Sequence, residues 1–141
     1  MSKKLMEYVN KQPRLGALST ADKKGKVNSA YFGSIHMPDE KTLRMGLGRN
    51  RTFSNLRENP NAVFLIMEPG KTAPEWKGVR VYLKMMESHT SGPKLDEIRA
   101  IVAKKAGEEA AKKMIHAAVE FSIEEIRPLA DFGQGWEKSI G

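Results

Sequence analysis

Residues 43–66 read LRMGLGRNRTFSNLRENPNAVFLI and predict two strands on either side of a short helix. The first strand covers Thr42 to Leu47, and the second, Ala62 to Met67, is apolar on both faces and therefore central in a sheet. The helix runs to about Arg57 and ends before Pro60, because proline lacks an amide donor and restricts the residue before it. This stretch thus places a strand, a helix and a strand in immediate succession.

Alternating and apolar runs elsewhere predict four more strands, which gives six in all. They cover Leu15–Ala21, Lys26–Ile35, Val79–Glu87 and Ala117–Ile126. Short turns at residues 22–25 and 38–41 join the first three strands. These turns are too short for parallel pairing, because parallel neighbours need a crossover of a dozen or more residues. We therefore expect an antiparallel meander at the start of a mainly β fold, a small β-barrel with peripheral helices.

Two helical segments flank this framework. Residues 3–11 predict a short amphipathic helix, and Lys94 to about Ile115 predicts a helical insert that Gly107 divides in two, because a glycine inside a helix costs roughly 1 kcal/mol relative to alanine. No repeat or Gly/Ser-rich linker interrupts the chain. We expect one domain over residues 1–141.

Composition narrows the class of protein. The chain has 141 residues, of which 40% are hydrophobic and 29% charged, as in ordinary globular proteins. Its longest apolar run, Ala62 to Met67, is far shorter than the roughly 20 residues that cross a bilayer. The polar N-terminus lacks a signal-peptide core, so we expect a cytoplasmic protein. The net charge of +7 favours anionic partners, although many small domains are basic for no specific reason.

Side chains that could carry chemistry by themselves are few. Cysteine is absent, and the three histidines have no spacing typical of a catalytic triad or a metal site. We expect His36 and His89 to be exposed and His116 to be structural. The carboxylates of the last strand are expected on a solvated face: Glu120, Glu124 and Glu125. Catalysis would therefore depend on an outside cofactor, with the protein supplying binding and orientation.

Residues 45–52, MGLGRNRT, predict an anion site. Helix N-termini leave amides unpaired and carry partial positive charge. Arg51 could add a charge-assisted contact worth about 1.5–3 kcal/mol and Thr52 a hydroxyl, while Gly46 and Gly48 would let a ligand approach the backbone. The alternative is a plain turn at Gly48, solvated arginines and a Thr52 that only caps the helix. The spacing matches neither a P-loop nor a dinucleotide-binding motif.

Three motifs in this order resemble the pyridoxamine 5′-phosphate oxidase-like FMN-binding proteins, a split-barrel superfamily. They are LGALSTADKKGKVNSAYF at 15–32, LRMGLGRNRTFSNLRENPNAVFLI at 43–66 and KGVRVYLKMME at 77–87. The resemblance covers roughly residues 15–81 and 118–128. It implies a six-stranded antiparallel FMN-binding split barrel that forms a homodimer with FMN at the subunit interface.

The resemblance also implies which residues contact the cofactor. The flavin would lie along the return strand of the first hairpin and the end of the next strand, and the start of the short helix would hold the phosphate. These positions are Asn28, Ser29, Ala30, Met45, Gly46, Leu47, Asn50, Arg51 and Thr52. Trp76 or Trp136 of the second chain would close the pocket, unless these tryptophans serve packing only.

Two departures from the oxidase bear on function. Gly78 stands where the oxidase has a polar amide, and its C-terminal Trp and Arg pattern is not reproduced in residues 131–137. These departures count against pyridoxamine phosphate oxidation. We expect an FMN-dependent oxidoreductase or electron carrier with no metal; the alternatives are a non-catalytic module that binds F420, haem or another ligand, and a flavin fold that has lost its cofactor.

Nucleic-acid binding is disfavoured. Such a protein would need a basic stripe interleaved with exposed aromatic residues. Here the basic residues are spread along the chain, and four aromatic residues are expected mostly in the core: Tyr31, Phe32, Phe53 and Phe64.

Overall fold

The computed structural model describes residues 3–11, 15–33 and 35–141. The strands in these ranges are β1 (Leu15–Ala21), β2 (Val27–Tyr31), β3 (Ile35–His36), β4 (Thr42–Leu47), β5 (Asn61–Glu68), β6 (Lys77–His89) and β7 (Ala117–Pro128). The helices are α1 (Lys3–Asn10), α2 (Arg51–Glu58), α3 (Pro93–Ala106), α4 (Glu108–Met114) and α5 (Trp136–Ser139), with a 3-10 turn at Ala73–Glu75.

The described strands form one antiparallel sheet in the order β2-β1-β5-β6-β7-β4-β3, curled into a half-barrel. The prediction of a mainly β, antiparallel split barrel is confirmed, with seven strands in place of six. The extra strand arises because the predicted return strand, Lys26–Ile35, is divided: β2 pairs with β1, whereas β3 pairs with β4 through Ile35 and Met45.

The predicted meander is confirmed in part: the end of the predicted return strand pairs with β4 through Ile35, but the sequence did not indicate the other neighbour of β4. β4 pairs with β3 and with β7, in the register Met45 to Val119, and not with β2. β7 in turn pairs with β6, so the last strand lies between β6 and β4. Turn chemistry identifies neighbours joined by short loops, but it carries no information about this long-range pairing.

Inward-facing side chains of the half-barrel form the main core. Alternation along the strands buries Leu18 of β1, Phe64 of β5, Val81 of β6 and Phe121 of β7 completely. The helix expected at the N-terminus is present as α1, and it adds buried residues to the same cluster. Within the described residues, no helix has the length and apolar character required to traverse a bilayer.

The helical insert covers the other face of the sheet at β4 and β7. Its break at Gly107 is confirmed, since this residue has φ of +93° and separates α3 from α4. A second core cluster brings Leu95 and Ile98 of α3 against Ile115 and Ala118. β7 is therefore buried on both faces near its start.

Candidate functional site

The chain turns sharply from β4 into α2, and Asn50 fixes the start of this helix. Its extended backbone precedes Arg51, and its Oδ1 accepts a hydrogen bond from the Phe53 amide at 3.0 Å. Such an N-cap satisfies one of the amides left free at a helix start. The N–H groups of Arg51 and Thr52 have no acceptor within the helix, as at any α-helical N-terminus.

Two polar pairs hold α2 against the first hairpin. Asn55 Nδ2 donates to Thr20 Oγ1 of β1 at 3.1 Å, and both side chains are buried. Asn28 Nδ2 of β2 lies 3.4 Å from Thr52 Oγ1. Thr52 is only 2% exposed, so its hydroxyl faces Asn28 and the hairpin. The structure thus brings together Asn28, Thr52 and Arg51, three of the predicted site residues.

A cavity of about 500 Å³ lies beside the outer face of α2, and we call it the arginine cleft. It is lined by Arg49, Asn50, Arg51, Phe53, Ser54, Arg57 and His116. None of the three arginines forms a salt bridge with a carboxylate among the described residues. No carboxylate in the described part of the chain neutralises these charges, which together with the helix N-terminus makes the cleft suited to an anion.

His116 and Arg57 belong to the cleft although the sequence did not indicate them. The His116 amide bonds to the Leu47 carbonyl at 2.8 Å, which fits the predicted structural role. Its ring also meets Phe53 edge-on, with 5.8 Å between the ring centroids, and the Arg57 guanidinium lies 5.9 Å from the Phe53 centroid. A stripe of Arg51, Ser54 and Arg57 at i, i+3 spacing was the one available signal for Arg57.

The predicted contacts on β4 lie away from the cleft. Met45 and Leu47 are fully buried in the main core. A Cβ at Gly46 would lie 2.7 Å from Ile98 Cγ2, and one at Gly48 would lie 2.9 Å from the Met114 carbonyl oxygen. The insert thus occupies the space beside both glycines in this chain.

The remaining predicted residues lie in two other places. Ser29 and Ala30 are on β2, and the Ser29 hydroxyl is 2.7 Å from that of Ser19. Trp136 begins α5 and packs, half-buried, against the main core. Tyr31 is 67% exposed, so the prediction that it belongs to the core is wrong.

A larger cavity of about 940 Å³ lies at the opposite end of β7 from the arginine cleft, and we call it the tryptophan cavity. It is formed by the loop between β5 and β6 and by the residues after β7. Trp76 and Phe132 line it with partly or largely exposed rings. Three lysines also line it: Lys71, Lys77 and Lys138.

A buried ion cluster fastens the insert to the sheet. Glu120 is 6% exposed, so its predicted place on a solvated face is wrong, whereas Glu124 and Glu125 are exposed as expected. Arg44 donates to Glu120 through Nε and Nη2 at 2.9 and 2.7 Å, and Lys94 Nζ of α3 lies 2.9 Å from the same carboxylate. This pairing explains the burial, because a buried charge requires a partner.

Glu87 extends the cluster at the surface. Lys94 Nζ lies 2.5 Å from Glu87 Oε1, and His89 Nε2 lies 3.1 Å from the same oxygen. The bond from Lys94, followed by that from His89, lowers the pKa of Glu87 to about 2.

Two histidines expected to be exposed are half-buried. His89 is held beside Glu87, and His36 lies on β3. Burial, together with the charge of Arg44, lowers the pKa of His36 and favours its neutral form. Across residues 3–11, 15–33 and 35–141, no group of three or more potential ligands could hold a metal ion.

The fold is a split barrel: an antiparallel sheet curls into a half-barrel, and a capped helix with a basic cleft at its start follows the fourth strand. The family model described as pyridoxamine 5′-phosphate oxidase matches residues 1–130. The chain therefore belongs to the pyridoxamine 5′-phosphate oxidase family.

Solved structures share the fold. An FMN-binding protein from Syntrophomonas wolfei is 22% identical with a TM-score of 0.80, and the match covers 92% of this chain and 86% of that one. The haem storage protein HutZ from Vibrio cholerae is 15% identical with a TM-score of 0.64, covering 87% and 90%. A protein described as F420 reductase is 14% identical with a TM-score of 0.65, covering 85% and 94%. A search of curated proteins gave no match.

Proposed function

We propose that this protein is an FMN-binding flavoprotein, an oxidoreductase or electron carrier, in which two copies of the chain enclose the cofactor. The observation that carries the proposal is Arg51 at the capped start of α2, free of any carboxylate partner among the described residues and beside the 500 Å³ cleft. The cytoplasmic location and the single domain expected from the sequence belong to the same proposal.

The residues at the cleft suit the phosphate of FMN. The Arg51 guanidinium and the free amides at the helix start would bind the dianion, and the Asn50 cap would keep those amides in place. Asn28, held by Thr52, would present β2 to the ring. When bound, FMN itself would supply the capacity to accept and return electrons, while the chain binds and orients it.

An uncovered face of the sheet supports the homodimer. Val27 is 77% exposed on β2, where Tyr31 is also exposed, and both share the outward face of the hairpin with Leu15 and Ala17. Large exposed apolar patches on soluble proteins mark interaction sites. The patch carries no charged side chain on β1 or β2, so two copies of this basic chain could meet there without repulsion.

The positions of the two cavities support a shared site. His116 directly precedes β7 and Leu129 directly follows it, and 12 strand residues at about 3.3 Å each separate the cavities by up to roughly 40 Å along the strand. One mononucleotide is much shorter than that. We infer that a second copy brings its tryptophan cavity to the arginine cleft, so that Trp76 or the neighbouring Trp136 closes on the ring.

The dimer is tested with Val27→Asp/Tyr31→Asp, which places two charges on the exposed face. Light scattering after gel filtration should change from the mass of two chains to that of one, and FMN affinity should fall with it. Lys104→Asp, on the exposed side of α3, serves as the control and should remain dimeric. A wild-type chain that is monomeric in the presence of FMN would refute the shared site.

The cofactor is tested by spectroscopy and by titration. Purified protein, or protein given FMN, should show a flavin spectrum that dithionite bleaches. Arg51→Ala should weaken FMN binding about 10- to 100-fold, because the lost contact is worth about 1.5–3 kcal/mol, and should leave riboflavin binding unchanged. Lys104→Ala is the charge-matched control. Equal losses for FMN and riboflavin would remove Arg51 from the phosphate site.

The same spectrum decides between the leading function and its alternative. Relatives of this fold are described as a haem storage protein and as F420 reductase. A haem spectrum, or the spectrum of a deazaflavin, would favour a binding module for those ligands over an FMN protein.

A further inference from the structure

A third cavity, of about 170 Å³, lies where the end of α1, strand β3 and helix α3 meet. We call it the isoleucine pocket, because Ile35, Ile98 and Ile101 line it. No described residue lines both this pocket and either of the larger cavities. The proposed function therefore makes no use of it.

One face of α3 forms a wall of the isoleucine pocket. Ile98, Ile101 and Lys105 follow one another at i, i+3 and i+7, a spacing that places all three on the same side of a helix. Ile98 is buried almost completely, whereas Ile101 is 38% exposed. The pocket is thus open to solvent beside Ile101 and closed at Ile98.

Few polar groups in the pocket are available to a ligand. The Asn10 side chain is already used, since its Nδ2 donates to the Met37 carbonyl at 2.9 Å and its Oδ1 accepts from the Met37 amide at 2.7 Å. Lys105 forms no salt bridge with a carboxylate among the described residues. Burial and the charge of Arg44 lower the pKa of His36, which keeps its imidazole neutral. One cation and one neutral imidazole therefore accompany the apolar walls.

This combination suits a ligand with one negative charge and a small apolar body. A dry apolar cavity of about 150 Å³ accommodates one benzene molecule. The isoleucine pocket, at about 170 Å³, has room for a single ring or a short alkyl chain, but not for a mononucleotide. An ammonium group binds a carboxylate through a charge-assisted hydrogen bond, and a neutral imidazole still has one N–H to donate.

We propose that the isoleucine pocket binds a small carboxylate with an apolar body, of which benzoate is the simplest aromatic example. Its ring would lie among the three isoleucines, and its carboxylate would be bound by Lys105 and His36. This site does not depend on a flavin, and it lies on the insert side of β3.

Contacts of Ile98 connect the isoleucine pocket to the arginine cleft. A Cβ at Gly46 would lie 2.7 Å from Ile98 Cγ2, and Ile98 shares a buried cluster with Ile115. His116 follows Ile115 directly and lines the arginine cleft. A ligand that packs on Ile98 stabilises the docked insert, so its binding should also tighten FMN binding at the cleft. This last step rests on the proposed function.

The site is tested by NMR titration of the full ¹⁵N-labelled chain with benzoate and with benzyl alcohol, which keeps the ring but lacks the charge. Benzoate should bind with a Kd of about 1 mM, an ordinary value for a ligand of this size. It should shift the amide signals of Ile35, Ile98 and Ile101. Benzyl alcohol should bind about tenfold more weakly, because it lacks the charge-assisted contact.

Three variants assign the binding to the pocket. Lys105→Gln should weaken benzoate binding about tenfold and leave benzyl alcohol binding unchanged. Lys104→Gln removes the same charge from the neighbouring exposed position and should change neither. Ile101→Trp fills the pocket from its exposed edge and should abolish binding of both ligands, while its circular dichroism spectrum stays that of the wild type.

Four results would overturn the site. They are the absence of any shift with benzoate, shifts at residues 49–57 in place of the pocket, equal affinity for the two ligands, and unchanged benzoate affinity in Ile101→Trp.

The link to the arginine cleft has its own measurement. Saturating benzoate should tighten FMN binding at least about fivefold in the wild type and not in Ile101→Trp. Unchanged FMN affinity with the pocket occupied would overturn the link. A chain that binds benzoate through Lys105 but takes up no FMN would support the site and refute the flavoprotein.

Discussion

Gly46 offers a direct test of why a glycine stands at the end of β4. The sequence attributes it to a cofactor that approaches the backbone, whereas the structure fills the space with the insert. A Cβ at this position would lie 2.7 Å from Ile98 Cγ2 and 2.9 Å from Ile115 Cγ2. Both methyl groups branch from a buried Cβ, so neither can move as the end of a flexible chain would. Overpacking of this kind costs about 1–3 kcal/mol.

Gly46→Ala should therefore destabilise the fold. Alanine loses less backbone entropy than glycine when a strand forms, which offsets about 0.5–1 kcal/mol of this cost. We therefore expect the free energy of unfolding, measured in urea, to fall by about 1–2 kcal/mol. Ile98→Leu, which removes the branching methyl, should reduce the cost of Gly46→Ala by roughly half in a double-mutant cycle. Gly135→Ala is the control, since its nearest neighbour is a mobile carboxylate oxygen of Glu137. A Gly46→Ala variant of wild-type stability that loses FMN would refute the packing argument.

Three further predictions concern the ion cluster and the helix cap. Glu120→Ala should lower the free energy of unfolding in urea by about 2–3 kcal/mol. This is less than the cost of breaking an isolated buried pair, because Arg44 keeps the carboxylate of Glu97 at 3.3 Å. A free energy unchanged within about 0.5 kcal/mol, roughly the effect of a surface substitution, would contradict the pairing. The pKa of Glu87 is lowered from 4.5 to about 2 in the fold, so its ionised carboxylate stabilises the protein above pH 4.5, and this stability is lost as the pH falls from 4.5 to 2. Lys94→Gln should flatten the pH–stability curve between these two values. An unaltered curve would exclude the Lys94–Glu87 pair as the cause of the pH dependence. Asn50→Ala should cost about 1 kcal/mol and weaken FMN binding, whereas Asn50→Ser should keep most of both, as judged by unfolding and titration; equal losses in the two variants would argue against capping.

Local signals were sufficient for most secondary structure. Asp22 to Gly25 specified the first hairpin, Pro60 the end of α2 and Gly107 the break in the insert, because each acts through backbone conformation within a few residues. Pairing of β4 with β7 joins residues at least 70 positions apart, as Met45 and Val119 show. No local propensity reports such a contact, so the sequence predicted the pairing of β4 with the end of the return strand but not its pairing with β7.

The residues of the candidate site also divide into those that local sequence indicates and those that only the fold brings together. The helix start at Arg51 was predictable from the neighbouring residues, but from the sequence Thr52 was considered as the cap, whereas the structure gives that role to Asn50. Arg57 and His116 were not predictable, since their membership in the cleft depends on where β7 begins relative to α2. Glu120 was misplaced for a related reason: its partners Arg44 and Lys94 come from β4 and α3, and only the fold brings them together.

These contacts give the insert a part in shaping the cleft. The Met114 carbonyl lies against Gly48, Ile115 packs on Gly46, and His116, the next residue, bonds to Leu47 and lines the cleft. The end of α4 thus fixes both the loop that leads into α2 and the histidine facing it. A substitution that loosens the insert should alter ligand affinity at the arginine cleft without touching a lining residue. Gly46 on β4 and Gly48 just after it would then affect ligand binding through packing against the insert, without contacting the ligand.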